Sequence, residues 1–163
     1  MRKISALSLF IVFINFTAMA KEIKSEIVIN APPEKVWAVL TDFGKYPEWN
    51  PFITSLKGEV EVGNKIEIRI EPPEGTGMTF KPKVLEKTEN KKLRWLGSLL
   101  FKGLFDGEHC FELIDNGNGT TTFIQSEKFR GILVWAFGTK KTKNGFEAMN
   151  LKLKELAESA QIP

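Results

Sequence analysis

One histidine and one cysteine stand side by side in this chain, at His109 and Cys110. They set the limits of its chemistry. A lone cysteine allows no intrachain disulfide, no CxxC pair and no cysteine-rich zinc site. A lone histidine excludes a multi-histidine metal centre, and the scattered acids form no ligand cluster around it. No metal and no cofactor is therefore expected. If residues 105–114 form a strand, alternation puts His109 on one face with Phe105, Phe111 and Leu113. Glu108, Cys110 and Glu112 fall on the other, with Asp106, where a solvated edge or a salt bridge to a lysine is expected. An inward imidazole can orient a ligand carbonyl or hydroxyl, or act as a general acid/base. It can equally be a core histidine satisfied by a neighbour.

The segment that follows offers His109 a partner. Phe123, Gln125, Glu127 and Phe129 share one face, so Gln125 or Glu127 comes within reach across a hairpin if that face is the inner one. A His/Glu pair in an apolar cavity is a plausible proton-transfer couple. The register stays open, because a bulge in the glycine-rich turn would send Glu127 to water and Ile124 inward. Other motifs carry less. Gly75-Thr76-Gly77 lacks the lysine and following helix of a phosphate loop and reads as a turn. No spacing demands paired carboxylates facing one cleft. Cys110 lacks an activating base on its own face.

These residues need a scaffold, and 163 residues suit one domain with a core of its own. At 42% hydrophobic and 26% charged, the chain is not of a disordered type. The first twenty residues read as a signal peptide: Arg2 and Lys3, an apolar run from Ile4, then Ala18 and Ala20 at the −3 and −1 positions of a cleavage site. Export to the periplasm or outside, with cleavage near Ala20, is the expectation. A retained anchor is the alternative, with Ile4–Ala20 at the short end of a span. Without Arg2 and Lys3, 21 basic residues face 20 acidic ones, a net of +1. The lysine clusters (81/83, 91/92, 140/141/143) alternate with acids and read as solvated faces, so no nucleic acid is expected.

From Lys21 the pattern is a strand, two short helices, a series of strands and one long helix. Ile23, Ile27 and Ile29 alternate with charged residues over Glu22–Asn30, a half-buried strand. Ala31-Pro32-Pro33 opens a helix carrying Val36, Trp37, Val39 and Leu40 and ending near Asp42. A second helical turn or two runs towards Trp49 and stops at Asn50-Pro51. Ile66, Ile68 and Ile70 mark the cleanest strand. Met78–Lys87 and Leu93–Leu100 are two more, and Phe105–Ile114 and Thr120–Arg130 form a hairpin about Asp115–Gly119. Val134, Phe137, Phe146, Met149, Leu153, Leu156, Ala157 and Ala160 predict an amphipathic helix of about five turns or more. This is an α+β arrangement in which a curved antiparallel sheet covers one long helix.

Two further stretches resemble a known family. Ile29–Trp37 (INAPPEKVW) and Tyr46–Phe52 (YPEWNPF) are similar to the opening of the SRPBCC superfamily, also called START-like or helix-grip. Gly103–His109 and Gly145–Asn150 resemble later blocks of its small stand-alone bacterial members, of polyketide cyclase/dehydrase and lipid-transport type. The likeness runs from residue 23 to about 158. It implies a single domain over 21–163, with a sheet of about seven strands gripping the last helix. It also implies a cavity for a small hydrophobic or lipid-like ligand, and no single chemistry, since carriers, cyclases, hydrolases and co-chaperones share the fold. On that reading the ligand's apolar body lies against Ile66, Ile68, Ile70, Met78, Phe80, Trp95, Phe111, Phe146 and Met149. His109, with Gln125 or Glu127, fixes a polar end. The rivals are a cyclase- or hydrolase-type enzyme using His109 as general acid/base, and a module that presents the apolar segment Ile132–Phe137 to a membrane or a protein. Trp37 and Trp49 read as helix-packing residues.

Overall fold

A computed structural model describes residues 19–73, 75–99, 102–134 and 139–159. The elements run β1 (Met19–Ile29), α1 (Pro33–Thr41), a 3-10 turn (Phe43–Lys45), α2 (Tyr46–Trp49), β2 (Ile53–Lys57), β3 (Glu67–Ile70), β4 (Met78–Phe80), β5 (Lys83–Thr88), β6 (Lys92–Ser98), β7 (Asp106–Asp115), β8 (Thr121–Gly131) and α3 (Lys140–Ser159). A five-stranded antiparallel sheet in the order β1-β8-β7-β6-β5 continues through a bridge between Lys65 and Lys83 into a three-stranded sheet, β2-β3-β4. The sheet curves over α3, as a helix-grip fold requires. Of the segment read as a signal peptide, 1–18 lie outside the described residues; Met19 and Ala20 open β1 and pair with Gly131 and Arg130.

Local chemistry explains the elements. Pro33 starts α1, where a missing N–H costs nothing, and Glu34 meets the positive end of the helix. Val36, Trp37 and Leu40 bury its inner face. The Tyr46 hydroxyl donates to the Leu40 carbonyl at 2.7 Å, and its burial pushes the phenol pKa well above the ordinary value. Asn50 Oδ1 accepts from the backbone N–H groups of Phe52 (3.0 Å) and Ile53 (2.8 Å), which locks the exit of α2 to the start of β2. Phe52 then packs its ring against Gly145 of α3, where any Cβ would collide with it. That glycine is what lets the helix approach the second sheet. Gly131, at φ 136°, ends β8 against the Leu104 carbonyl, another place closed to a side chain.

Two strand and helix expectations need correction. The run Met78–Lys87 is not one strand. It breaks at Lys81-Pro82 into β4 and β5, which belong to different sheets. Pro82 has no N–H for a ladder, while its carbonyl accepts from Ile66 at 3.0 Å and so turns the chain between sheets. With that break, and with β2, for which the sequence offered no expectation, the described residues hold eight strands. Val134 does not belong to the long helix: α3 begins at Lys140, and Val134 is buried in a turn after β8. Its spacing matched a helical stripe by coincidence of period. Phe137 and Ala160 lie outside the described residues. Among the described residues no helix is long and apolar enough to cross a membrane.

Candidate functional site

Three rows of side chains cross the inner face of β6, β7 and β8. The first is Leu93, Phe111 and Gln125; the second is Trp95, His109 and Glu127; the third is Gly97, Gly107 and Phe129. Cross-strand neighbours on one face sit roughly 4.5–5.5 Å apart at Cβ, so the side chains of the first two rows are in contact. The register is the one that opposes His109 to Glu127. The β7–β8 turn closes with Asn116 N–H on the Thr120 carbonyl at 3.1 Å, and no bulge shifts the parity.

The rows differ in fate. Phe111 and Gln125 are fully buried, and the Gln125 amide donates to Met149 Sδ of α3 at 3.6 Å. In the third row Gly97 and Gly107 carry no side chains, so the sheet floor is bare on those two strands. Over that bare floor lies a cavity of about 360 Å³. Its walls come from β3 and β4 (Ile68, Ile70, Met78, Phe80), from the second and third rows, from Phe52 and Phe105, and from the entry to α3 (Thr139, Lys141, Thr142). Among the lining residues only His109, Glu127 and Lys141 carry ionisable side chains, and Lys141 is exposed.

His109 is held on every side. Its ring stacks on Trp95 (centroids 5.0 Å, 9° between planes) and meets the edges or faces of Phe111 at 4.6 Å and Phe146 at 5.2 Å. Nδ1 lies 2.8 Å from Glu127 Oε2, and Nε2 lies 3.3 Å from Gln125 Nε2. A carboxylate only accepts, so Nδ1 carries the proton and donates; with the amide as oriented, Gln125 donates to Nε2 and the imidazole is neutral. The His109 side chain is 4% exposed and that of Glu127 17%.

The opposite face of the same strands is a ladder of charges. Lys92 pairs with Glu112 at 3.0 Å, and Arg94 with Glu108 at 2.7 Å and Glu86 at 3.2 Å. Glu108 thus finds an arginine rather than a lysine. Asp106 instead accepts from the Gly103 N–H at 3.0 Å, bracing the loop before β7. Cys110 lies in this ladder, away from His109, and burial pushes its thiol pKa up.

Of the residues expected to hold a ligand, Ile68, Ile70, Met78, Phe80, Trp95, His109 and Glu127 line the cavity. Ile66, Phe111, Gln125, Phe146 and Met149 do not. They are part of the packed core, each at most 2% exposed. Inward direction was readable from period; whether the inward face meets a void or a neighbour was not. Sequence reasoning missed Phe52, Phe105, Phe129 and the Gly97/Gly107 pair. The signal for the glycines was available, since both share the parity of Trp95 and His109. Of the segment Ile132–Phe137, Ile132 is 41% exposed and Val134 buried, while Trp135 and Phe137 lie outside the described residues. Among the described residues no group of three or more His, Cys, Asp or Glu could hold a metal ion.

Residues 20–158 match the family model described as polyketide cyclase / dehydrase and lipid transport. The chain belongs to that family. No protein of curated function matches it. Among solved structures, protein MLL2253 from Mesorhizobium loti is similar at 24% identity over 87% of this chain and 100% of that one, with a TM-score of 0.65. Protein CV1439 from Chromobacterium violaceum is similar at 20% over 85% and 98%, TM-score 0.66. Norcoclaurine synthase from Thalictrum flavum, solved in complex with dopamine and hydroxybenzaldehyde, is similar at 13% over 99% and 100%, TM-score 0.67. At these identities the likeness is one of fold, and the fold is the helix grip of the SRPBCC proteins.

Proposed function

We propose that this member of the family is an exported carrier that holds a small hydrophobic or lipid-like molecule between α3 and the sheet. The observation that supports it is the cavity of about 360 Å³, which falls in the size range of small-molecule sites and is walled chiefly by aliphatic and aromatic side chains. Burial of apolar ligand surface supplies affinity at roughly 25 cal/mol per Å², and a few polar groups orient the ligand. Export rests on the sequence before Lys21. The His109–Glu127 contact at 2.8 Å favours a second reading, a cyclase- or hydrolase-type enzyme. Against it, Nε2 of His109 is engaged by Gln125, so the imidazole has no free lone pair to offer a substrate.

The test is native mass spectrometry of the mature protein, purified without detergent from the compartment to which its host exports it. The carrier reading expects a chain starting at Lys21 and a stoichiometric added mass that denaturation releases as an intact apolar compound. A clean apo mass that no fatty acid or phospholipid shifts, from a chain still starting at Met1, would overturn both halves of it.

A further inference from the structure

Glu127 sits where an apolar wall would be expected. Its Oε2 accepts from His109 Nδ1 at 2.8 Å. Its Oε1 reaches over Gly107, into space that even a methyl group on that residue would fill. Among the described residues nothing donates a hydrogen bond to Oε1. We infer that Glu127, and not His109, is the polar group that meets the occupant of the cavity, and that the buried end of that occupant is a proton donor of cationic character, a protonated amine, and not a carboxylate. This rests on the cavity being a ligand site, the reading proposed above.

Three observations carry it. His109 is spoken for at both nitrogens. Turning the Gln125 amide over would present its oxygen to Nε2–H; Nδ1 then donates to Oε2 as an imidazolium or accepts from a protonated Glu127, and in both cases the His109 contact uses Oε2. Either way Oε1 is the free acceptor, and His109 is a positioning residue behind it. Next, a ligand that displaces water from Oε1 must replace the donor it removes, because an unsatisfied buried carboxylate is among the costliest polar groups. A carboxylate ligand would add a like charge in a part-buried site. Finally, the cavity that Glu127 shares is also lined by Trp95, Phe105 and Phe129, and aromatic rings attract an organic cation. Lys141 is the opposing charge in the cavity, but it stands exposed in the first turn of α3, where water screens it.

Equilibrium dialysis of the mature protein at neutral pH and physiological salt separates the cases, with three probes of one shape: 1-naphthylmethylamine, 1-methylnaphthalene and 1-naphthylacetate. The expected order of affinity is amine, hydrocarbon, acid, with the amine ahead of the hydrocarbon by roughly tenfold or more. In Glu127→Gln the amine should fall to within about threefold of the hydrocarbon, whose own affinity holds, while Glu112→Gln on the outer face leaves all three unchanged. His109→Leu should erode the amine preference, and His109→Gln, which keeps a donor, should restore it. Equal binding of all three probes, or an acid that binds as well as the amine, overturns the inference and leaves the carrier reading standing. Binding of none of them overturns the carrier reading itself, and this inference with it. The wild-type series decides the matter even if a variant fails to fold.

Discussion

The two faces of β6, β7 and β8 are built from alternate residues of the same three strands, and they treat charge in opposite ways. On the outer face every acid near Cys110 has a basic partner: Glu112 with Lys92, Glu108 and Glu86 with Arg94. These pairs are half in water, so each is replaceable at small cost. On the inner face one acid, Glu127, has only a histidine, and that histidine is sealed among Trp95, Phe111 and Phe146. A carboxylate on the outer face is a solubility device, whereas the inner one has been kept in a place where it costs stability. Such placement is what a binding function would require of it.

The largest test of this contrast strikes the packing beneath it. Phe111 is fully buried and touches Trp95, His109 and Phe123. Phe111→Ala should destabilise the chain by about 3–5 kcal/mol, read as a fall in the urea midpoint at unchanged slope. A loss below about 1 kcal/mol would mean that the layer under the cavity is not packed as described.

A smaller effect compares the two acids through their partners. His109→Leu preserves bulk but strands the Glu127 carboxylate and the Gln125 amide, and should cost about 1–3 kcal/mol. Lys92→Ala, which strands Glu112 on the outer face, should cost no more than about 1 kcal/mol and lose even that at high salt. Equal costs for the two substitutions, with the same salt dependence, would erase the distinction between the faces.

How far these faces were readable from sequence follows from the physics of each step. Alternation along Asp106–Asp115 gives direction, so His109 inward and Cys110 outward were legible. The Asp115–Gly119 turn announced the hairpin, but register depends on whether the turn holds a bulge, and no residue in it says so. The break at Pro82 was legible in principle, since a proline inside an apparent strand is a warning; an alternating Met78–Lys87 run masked it. Least legible was the split of the inner face into core and void. Phe111 and Trp95 have the same chemistry and the same parity. What separates them is the pair of glycines in the row beside Trp95, which leave the floor uncovered.

The mildest prediction uses Cys110 as a reporter on the outer face. Burial raises its thiol pKa above the ordinary 9.0, and the nearest charges act on it in pairs, Lys92 and Arg94 lowering it while Glu112 and Glu86 raise it. Only the thiolate attacks an aromatic disulfide reagent, so the rate of modification should stay low at neutral pH and climb with a midpoint above 9.0. Lys92→Ala removes a positive neighbour and should move that midpoint further up, slowing the reaction a few-fold at fixed pH. Glu112→Ala should do the reverse. The sheet is one residue thick, yet its two faces share no side chain. Filling the cavity with 1-naphthylmethylamine should therefore leave the Cys110 profile where it was. A midpoint that moves with the ligand would mean that the charge ladder senses the inner face through Glu127, and that the two faces are coupled rather than merely adjacent.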